Sequence, residues 1–516
     1  MISRHNLPEI FNCADFFLDR HVREGRGEKT AIRCDNRTYT YAEIKKESDK
    51  FGNTLQSQGV RMEERVALLL NDTEVYPVTF FGAIKIGAVP VCMNTLLRPK
   101  DYAYILNDCR ARILVVDSVL LENILTIRKK LKFLQTIIVA KGAAPIGCLS
   151  LNELMTATHP HDFRPAMTSR DDQCFWLYSS GTTGQPKGVV HLQHDMVYVS
   201  ETYAKHVLKI QEDDICFSAA KLFFAYGLGN GLFFPFSVGT SSVYLSGRPT
   251  PTAVFETINQ YKPTIFFGVP TLYAALLEEK GTMESVRICV SAGEALPAII
   301  FKKWKERFGI DIIDGIGSTE MAHIFISNNP DDICPGSSGK LVPGYEARIV
   351  NEDMEDVSRN EVGTLLVKGD SSAPFYWNQH EKTKETMLGD YLNTGDKFMQ
   401  DEAGYFHFVG RTDDMLKVGG IWVSPVEVEA CIIEHQAVLE CAVIGFNTEE
   451  NLVKPKAYVV LKENFESSKE LSKDIQQFVK TKLAHYKYPR QLEFVGSLPK
   501  TATGKIKRFE LRDQCK

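Results

Sequence analysis

Short apolar runs alternate with longer amphipathic segments through residues 28–180 of the chain. Strand-like runs rich in Val, Ile and Leu lie at 30–33, 65–70, 89–92 and 113–116. Residues 75–87 have the apolar spacing of a packing helix that ends at Gly87. This alternation predicts βαβ units and a largely parallel sheet.

A second series of alternating segments follows the first. Its strand-like runs lie at 215–218, 242–245, 264–267, 287–290 and 310–313. Residues 339–408 are richer in turns and short alternating strands, and the residues after 410 carry their own strand and helix signals. We therefore predict an α/β protein: a large N-terminal domain of two wound α/β sheets plus a small β-rich subdomain, and a small α+β C-terminal domain.

The composition narrows the class of protein and of partner. With 516 residues, 44% hydrophobic and 24% charged, the chain has the size and composition of two or more soluble globular domains. A net charge of −5 gives no general attraction to nucleic acid or anionic membranes. The start lacks a signal-peptide pattern, and no apolar run reaches membrane-spanning length. We expect a cytoplasmic protein with small-molecule partners.

Metal and disulfide frameworks are disfavoured. The 12 cysteines include no C-x-x-C pair, which argues against a zinc ribbon and a disulfide scaffold. His191 and His194 lie three residues apart, but no third ligand accompanies them, so structural roles are favoured for both.

Residues 178–188, Tyr-Ser-Ser-Gly-Thr-Thr-Gly-Gln-Pro-Lys-Gly, have the composition of a phosphate-binding loop. Apolar runs on both sides place the loop at a strand's end, where α/β proteins bind ligands. Glycines let main-chain N–H groups approach an oxyanion, hydroxyls add donors and a lysine adds charge. The candidate phosphate ligands are Ser179, Ser180, Gly181, Thr182, Thr183, Gly184 and Lys187. A Walker P-loop is excluded because Pro186 precedes the lysine and Gly188 follows it. A flexible surface loop is the alternative.

This loop resembles the signature sequence of the adenylate-forming superfamily: acyl- and aryl-CoA ligases, carrier-loading adenylation domains and beetle luciferases. Residues 314–321, Asp-Gly-Ile-Gly-Ser-Thr-Glu-Met, resemble its second core motif. That resemblance implies phosphate binding by Thr319 and a Mg²⁺ ligand at Glu320. Adenine or ribose contacts would come from Asp314, Gly315 and Ile316. Alone, the segment is equally typical of a Gly-rich turn before a capped helix.

Two further segments match the family in order. Residues 391–396, Tyr-Leu-Asn-Thr-Gly-Asp, resemble the ribose-binding motif, so that the Asp396 carboxylate would accept from both ribose hydroxyls with Arg411 beside it. Residues 498–508 resemble the last motif, and Lys505 would offset the charge as a carboxylate attacks the α-phosphate. Without the resemblance, these segments are typical of a turn and of a solvated basic tail.

The resemblance also implies a reaction and its co-substrates. A carboxylate and ATP, with Mg²⁺, give acyl-AMP and pyrophosphate, and the thiol of coenzyme A then attacks the acyl carbonyl. The implied division of the chain is an N-terminal domain at residues 1–410, a hinge at 411–414 and a mobile C-terminal domain at 415–516. Asp413 would be the hinge residue.

Rotation about that hinge would withdraw Lys505 and bring Gly419 and Gly420 to the thiol tunnel. Many members of the superfamily carry a basic residue after this glycine pair, whereas this chain has Ile421 and Trp422. We therefore expect no phosphate-binding arginine there, and we expect Trp422 to pack near the thiol tunnel.

The string at residues 221–230, Lys-Leu-Phe-Phe-Ala-Tyr-Gly-Leu-Gly-Asn, resembles the benzoate-CoA ligase branch of the superfamily. The implied acid pocket is a flat slot in which small residues leave room for a ring and aromatic residues pack around it. Its lining would be Phe224, Ala225, Tyr226, Gly227, Ile316, Gly317, His323 and Ile324. Tyr226 and His323 could instead bond a ring substituent, so hydroxy- and aminobenzoates stay open. An aromatic core is the structural alternative.

The leading hypothesis is an ATP- and Mg²⁺-dependent aryl-acid–CoA ligase for benzoate or a substituted benzoate, as a monomer or homodimer. The alternative is a freestanding adenylation enzyme that loads an aryl acid onto a carrier protein's phosphopantetheine. A non-enzymatic module of the same fold is disfavoured because Lys187, Glu320, Asp396 and Lys505 are all present.

Overall fold

The computed structural model describes residues 6–158, 163–179, 185–418, 421–448, 452–500 and 506–514. Its strands, in chain order, are β1 (Thr30–Cys34), β2 (Arg37–Thr40), β3 (Arg65–Leu69), β4 (Val89–Cys92), β5 (Ile113–Val116), β6 (Thr136–Val139), β7 (Leu149–Ser150), β8 (Gln173–Ser179), β9 (Lys187–Leu192), β10 (Ile215–Ser218), β11 (Ser241–Tyr244), β12 (Ile265–Gly268), β13 (Ile288–Ser291), β14 (Ile312–Gly317), β15 (Ile324–Ser327), β16 (Lys340–Leu341), β17 (Glu346–Val350), β18 (Gly363–Lys368), β19 (Met387–Leu388), β20 (Tyr391–Gln400), β21 (Phe406–Arg411), β22 (Leu416–Val418), β23 (Ile421–Val423), β24 (Val438–Asn447), β25 (Val453–Leu461) and β26 (Gln491–Phe494).

The α-helices are α1 (Arg20–Arg23), α2 (Tyr41–Ser57), α3 (Val75–Lys85), α4 (Pro99–Asp108), α5 (Leu121–Leu125), α6 (Leu151–Ala157), α7 (Asp195–Val199), α8 (Ala225–Leu228), α9 (Phe234–Val238), α10 (Pro251–Tyr261), α11 (Pro270–Glu278), α12 (Ala298–Phe308), α13 (His380–Thr386), α14 (Pro425–Ile433), α15 (Lys469–Lys482) and α16 (Arg508–Asp513). Short π-helical turns lie at Asp15–Asp19, Ser200–Lys205 and Gly229–Phe233, and 3₁₀ turns at Ser118–Leu120, Arg128–Lys130 and Thr319–Met321.

The first large sheet has the strand order β7-β6-β5-β3-β4-β8-β9. Its neighbours run parallel except for β8 and β9, which form an antiparallel pair. In β3, Val66 and Leu68 pack into the core shared with the second sheet, while Ala67 and Leu69 pack against the opposite face. Burial on both faces explains why these strands are continuous apolar runs in the sequence.

The second large sheet has the order β16-β15-β14-β13-β12-β10-β11-β1-β2. It confirms the prediction of two wound sheets, but the assignment of residues 30–33 to the first sheet is wrong. β1 pairs in parallel with β11, with Ile32 opposite Ser242, although these two residues lie 210 positions apart in the chain. The apolar pattern identifies a strand but not its partner, because the partner depends on long-range packing.

The remaining two units match the predicted classes. Strands β17, β18, β19, β20 and β21 form an antiparallel sheet, the β-rich subdomain. Further along the chain, β24, β25 and β26 form a mixed sheet that packs with α14 and α15 around a separate core. A separate core supports an independent C-terminal domain, and the boundary at residues 411–414 stays a prediction.

Two properties of the described ranges bear on the class of protein. None of their helices combines the length and the apolar character that crossing a bilayer requires. Each of their cysteines carries a free thiol.

Candidate active site

The two ends of the predicted phosphate loop are held together by the β8–β9 pair. Ser179, the last residue of β8, lies opposite Lys187, the first residue of β9. The candidate ligands Ser180, Gly181, Thr182, Thr183 and Gly184 lie outside the described residues. The antiparallel pairing therefore fixes where the loop leaves the sheet and where it returns.

Glu320 lies directly beside these loop ends. Its Oε1 atom accepts a hydrogen bond from the Ser179 hydroxyl at 3.4 Å, and a second one from the Tyr376 hydroxyl at 2.8 Å. The ammonium group of Lys187 lies 4.5 Å from the centre of the Tyr376 ring. Burial lowers the pKa of Lys187, and the charge of Glu320 partly offsets that effect. The structure thus brings together three residues that the motifs predicted: Ser179, Lys187 and Glu320.

Tyr376 belongs to a segment that sequence reasoning missed. The main-chain N–H of Ala373 donates to the Glu320 carbonyl at 2.7 Å, and the N–H of Trp377 donates to the Gly188 carbonyl at 2.8 Å. The segment therefore ties the turn that carries Glu320 to the strand that carries Lys187. The adjacent aromatic residues Tyr376 and Trp377 are the only signal in this segment of the sequence, and such residues indicate a buried core more often than a binding site.

His191 and His194, the two histidines considered as metal ligands, also have structural partners. His191 contacts the Asp195 carboxylate through Nδ1 at 2.7 Å and donates through Nε2 to the main-chain carbonyl of Thr319 at 2.8 Å. His194 contacts the carbonyls of Arg170 and Asp370. His191 thereby positions Thr319, the predicted phosphate ligand.

The site has the donor set that Mg²⁺ prefers. This ion takes one or two protein carboxylates and completes its shell with phosphate oxygens and water. Both hydroxyl groups donate to Oε1 of Glu320, so Oε2 can coordinate an ion without breaking either bond. Within the described ranges, no group of three or more His, Cys, Asp or Glu side chains offers a closed protein cage. Glu320 is therefore the residue that would hold Mg²⁺.

Asp396 and Arg411 lie opposite each other on the paired strands β20 and β21. Nη1 of Arg411 donates to Oδ1 of Asp396 at 2.8 Å and to the Thr394 carbonyl at 3.1 Å. Burial alone would lower the pKa of Arg411, but the Asp396 carboxylate outweighs burial and raises it. The buried Asp396 carboxylate therefore lies beside a fixed cation, and its oxygens are the acceptors that ribose hydroxyls require.

Asp314 is buried in β14, and its Oδ2 accepts from the main-chain N–H of Leu296 at 3.3 Å. Burial raises the pKa of Asp314 to about 8, and hydrogen bonds from Leu296 and Ser291 only partly offset it. Ile316 and Gly317 follow on the same strand. A Cβ at Gly317 would lie 2.4 Å from the His323 carbonyl oxygen, so the approach of β15 requires glycine there.

The predicted acid pocket is assembled from α8 and from the turn between β14 and β15. The rings of Tyr226 and His323 lie 5.5 Å apart, and Nε2 of His323 donates to the Tyr226 carbonyl at 3.2 Å. Ala225 follows Phe224 at the start of α8, and Gly227 is required because a Cβ there would lie 2.0 Å from the Lys221 carbonyl oxygen.

His323 is only 2% exposed and lies among aromatic rings. The centres of the Phe234 and Tyr203 rings lie 4.4 Å and 5.6 Å from its own, and sequence reasoning had not included either residue. Burial lowers the pKa of His323 to about 3, although its bond to Tyr226 acts in the opposite direction. The imidazole is therefore neutral, with its hydrogen on Nε2 and an acceptor at Nδ1. Ile324, which follows it, is buried in β15.

The hydroxyl of Tyr226 is already engaged by the main chain. It donates to the carbonyls of Val290, at 3.0 Å, and Gly268, at 3.2 Å. Its one hydrogen is therefore already used, so the Tyr226 hydroxyl could offer a ring substituent only an acceptor, and its role toward a substituent stays a prediction. Nδ1 of His323 has no hydrogen-bond partner among the residues that the structure describes.

The remaining predicted residues belong to the predicted hinge and to the C-terminal unit. Lys505, Gly419 and Gly420 lie outside the described residues. Asp413 is described, and its carbonyl accepts from Nη1 of Arg512 at 3.5 Å.

Comparison with known proteins supports the resemblance over the whole chain. A profile described as "AMP-binding enzyme" matches residues 18–377, and one described as "AMP-binding enzyme C-terminal domain" matches residues 427–505. The chain is 48% identical over 513 residues to a benzoate–CoA ligase of Thauera aromatica, covering 98% of this chain and 96% of that protein. It is 44% identical over 509 residues to a 4-hydroxybenzoate–CoA/benzoate–CoA ligase of Rhodopseudomonas palustris, covering 98% and 94%.

Two of the crystal structures that share the fold are also identical to this chain at nearly half of the aligned positions. The anthranilate CoA ligase AuaEII in complex with anthranoyl-AMP superposes with a TM-score of 0.96 at 45% identity, covering 100% of this chain and 99% of that one. A benzoate CoA ligase from Burkholderia xenovorans LB400 superposes with a TM-score of 0.92 at 44% identity, covering 98% and 100%.

Proposed function

The chain belongs to the AMP-binding enzyme family, and from that premise we propose that its acid is benzoate or a ring-substituted benzoate. The chemistry is that of an AMP-forming aryl-acid–CoA ligase. One observation carries the choice of acid: His323 is buried beside α8 among the rings of Tyr226 and Phe234, and its Nδ1 has no hydrogen-bond partner among the described residues. Aromatic surroundings with a polar acceptor suit a flat ring.

In the first half-reaction, a carboxylate oxygen of the acid bonds to the α-phosphorus of ATP, and the bond to pyrophosphate breaks. Lys187 and the hydroxyl of Ser179 bind phosphate oxygens, while Asp396 accepts from the ribose hydroxyls. Glu320 would hold Mg²⁺, which neutralises phosphate charge when bound. Lys505 offsets the charge that builds up as two anions meet.

In the second half-reaction, the sulfur of coenzyme A bonds to the acyl carbon, AMP leaves, and the thiol proton is released. The proposed rotation about residues 411–414 removes Lys505 and brings Gly419 and Gly420 to the thiol. A cytoplasmic location and a monomeric or homodimeric state stay predictions.

The pocket also suggests which substituents it accepts. Because Nε2 of His323 carries the hydrogen, Nδ1 can only accept, and a ring amino or hydroxyl group that reaches it would supply a donor. A substituent that only accepts hydrogen bonds would leave Nδ1 unpaired. Hydroxy- and aminobenzoates are therefore candidate substrates beside benzoate itself.

A panel of acids in the ATP–pyrophosphate exchange assay tests this proposal. We expect benzoate and its amino and hydroxy derivatives to drive exchange. Alicyclic and short aliphatic acids should drive exchange at a rate at least about 10-fold lower, which corresponds to a loss of roughly 1.4 kcal/mol of transition-state stabilisation. A preference for aliphatic acids would contradict the aromatic slot.

The thiol acceptor needs its own measurement. We expect aryl-CoA to form with free coenzyme A and no aryl thioester to accumulate on a holo carrier protein. The reverse pattern would support the alternative of a freestanding carrier-loading enzyme. Absence of aryl-CoA with every benzoate in the panel would contradict the ligase function.

A further inference from the structure

Glu294 joins the large N-terminal part of the chain to the C-terminal unit. Its Oε1 atom accepts a hydrogen bond from the main-chain N–H of Ile506 at 3.0 Å, across 212 positions of sequence. Glu294 lies in the loop between β13 and α12, whereas Ile506 packs against the core that contains Leu498 and Leu511. The bond therefore connects parts of the chain that fold around separate cores.

The direction of the Ile506 N–H follows from its local pairing. Ile506 lies opposite Lys500 in an antiparallel bridge, and the hydrogen bond next to that bridge runs from the N–H of Lys507 to the Pro499 carbonyl at 2.8 Å. In antiparallel pairing, ladder bonds on the flanking residues leave the N–H of the central residue pointing outward. That outward N–H meets the Glu294 carboxylate, and a charged acceptor makes a stronger bond than a carbonyl.

Charge complements this bond. Arg508, two residues after Ile506, donates from Nη2 to the Glu429 carboxylate at 2.7 Å. Burial lowers the pKa of Arg508, but the Glu429 carboxylate outweighs burial and raises it, with smaller contributions from the charges of Asp414 and Glu294. The C-terminal segment thus carries a cation that attracts Glu294, in addition to the N–H that Glu294 binds.

The loop that carries Glu294 is also part of the nucleotide side of the site. Leu296, two residues further on, donates its main-chain N–H to Asp314 at 3.3 Å. Ile506 directly follows Lys505 in the sequence. We propose that Glu294 is a positioning residue for the first half-reaction, because it binds the main-chain N–H of Ile506, the residue that follows Lys505 in the chain. This inference rests on the proposed function, in which Lys505 assists the attack on the α-phosphate.

If the C-terminal unit rotates between half-reactions, the bond from Ile506 to Glu294 has to break. Glu294 therefore stabilises the arrangement for aryl-AMP formation and contributes nothing to the attack by the thiol. A residue with a purely structural role would affect both half-reactions alike.

The variant Glu294→Gln tests this, with each half-reaction measured separately. Loss of a charge-assisted bond should slow aryl-AMP formation by about 10-fold or more. Thioester formation from supplied aryl-AMP should be unchanged or faster. Ile506→Pro removes the N–H at the other end of the bond and should give the same split, and the double variant should lose little more than either single one.

Glu306→Gln is the matched control, because Glu306 is an exposed glutamate on α12, the helix that follows the same loop. It should leave both half-reactions unchanged. Equal loss of both half-reactions in Glu294→Gln, or no loss in either, would overturn the proposal.

Lys505→Ala, measured in parallel, separates this inference from the proposed function. If Lys505→Ala slows aryl-AMP formation and Glu294→Gln does not, the role of Glu294 alone is refuted. If Lys505→Ala leaves aryl-AMP formation intact, the catalytic role of Lys505 is refuted and the inference about Glu294 falls with it.

Discussion

Asp314 is a buried carboxyl group whose protonation couples the stability of the protein to pH. Its pKa is about 8 in the folded protein, against about 3.9 for an exposed aspartate. Between these values the folded chain holds a proton that the unfolded chain has released. The stabilising contribution is therefore complete below about pH 4 and is lost as the pH rises through 8.

Asp314→Asn removes this titration while keeping the shape of the side chain. We expect the melting temperature of the wild type to fall by roughly a few degrees more than that of the variant between pH 6 and pH 9. Thermal unfolding without ligands, followed at several pH values, measures the difference. Parallel curves for the two proteins would show that Asp314 does not titrate in this range.

At the residue scale, the order of motifs was enough to bring Ser179 and Glu320 together, because each motif fixes the local loop that carries its side chain. Tyr376 was not predictable in this way. Its hydroxyl reaches Glu320 across 56 residues of sequence, and no local pattern encodes such a contact. The engaged hydroxyl of Tyr226 is a second example, since its acceptors are carbonyls of the distant strands β12 and β13.

At the scale of elements, the paired strands β22 and β23 expose two large apolar side chains to solvent. Ile421 and Trp422 are 50% and 55% exposed, and the ammonium group of Lys417 lies 5.4 Å from the centre of the Trp422 ring. Exposed apolar surface of this kind often marks a contact made in another state. The hairpin flanks Gly419 and Gly420, the predicted contacts of the thiol.

Trp422→Ala should therefore act on one half-reaction. We expect the melting temperature and aryl-AMP formation to be nearly unchanged, because an exposed side chain contributes about 0.5 kcal/mol or less to stability. Thioester formation from supplied aryl-AMP should slow several-fold. Stopped-flow or quenched measurements of each half-reaction test this, and a variant with wild-type thioester formation would remove Trp422 from the thiol tunnel.

The elements themselves were largely predictable. Apolar runs located the central strands of both sheets, because buried parallel strands have no polar face to interrupt the run. The pairing of β1 with β11 was not predictable, because any strand of similar apolar composition could pack at that position of the sheet.

At the scale of the whole molecule, polar contacts join the two parts of the chain on either side of residues 411–414. Nη1 of Arg512 donates to the Asp414 carboxylate at 2.6 Å, and the hydroxyl of Ser424 donates to the Val409 carbonyl. These polar contacts fix the described arrangement, in which Ile506 meets Glu294. The family resemblance located the junction, because no change in composition marks it.

Asp413→Pro tests whether the chain turns at this point. Proline fixes φ near −65° and also restricts the preceding residue, so it limits the rotation that the second half-reaction requires. Because the described arrangement already joins Glu294 to the segment after Lys505, aryl-AMP formation should be largely retained. Thioester formation should fall by about 10-fold or more, which corresponds to roughly 1.4 kcal/mol.

Asp413→Ala is the matched control, since it removes the same carboxylate but leaves φ free. This variant should retain both half-reactions if the domain rotation depends on the backbone torsion of residue 413 and not on its side chain. Equal effects of the two substitutions would assign the role to the carboxylate, and unchanged turnover in Asp413→Pro would place the hinge elsewhere. The comparison therefore separates a hinge from a charged contact at the one junction that both half-reactions share.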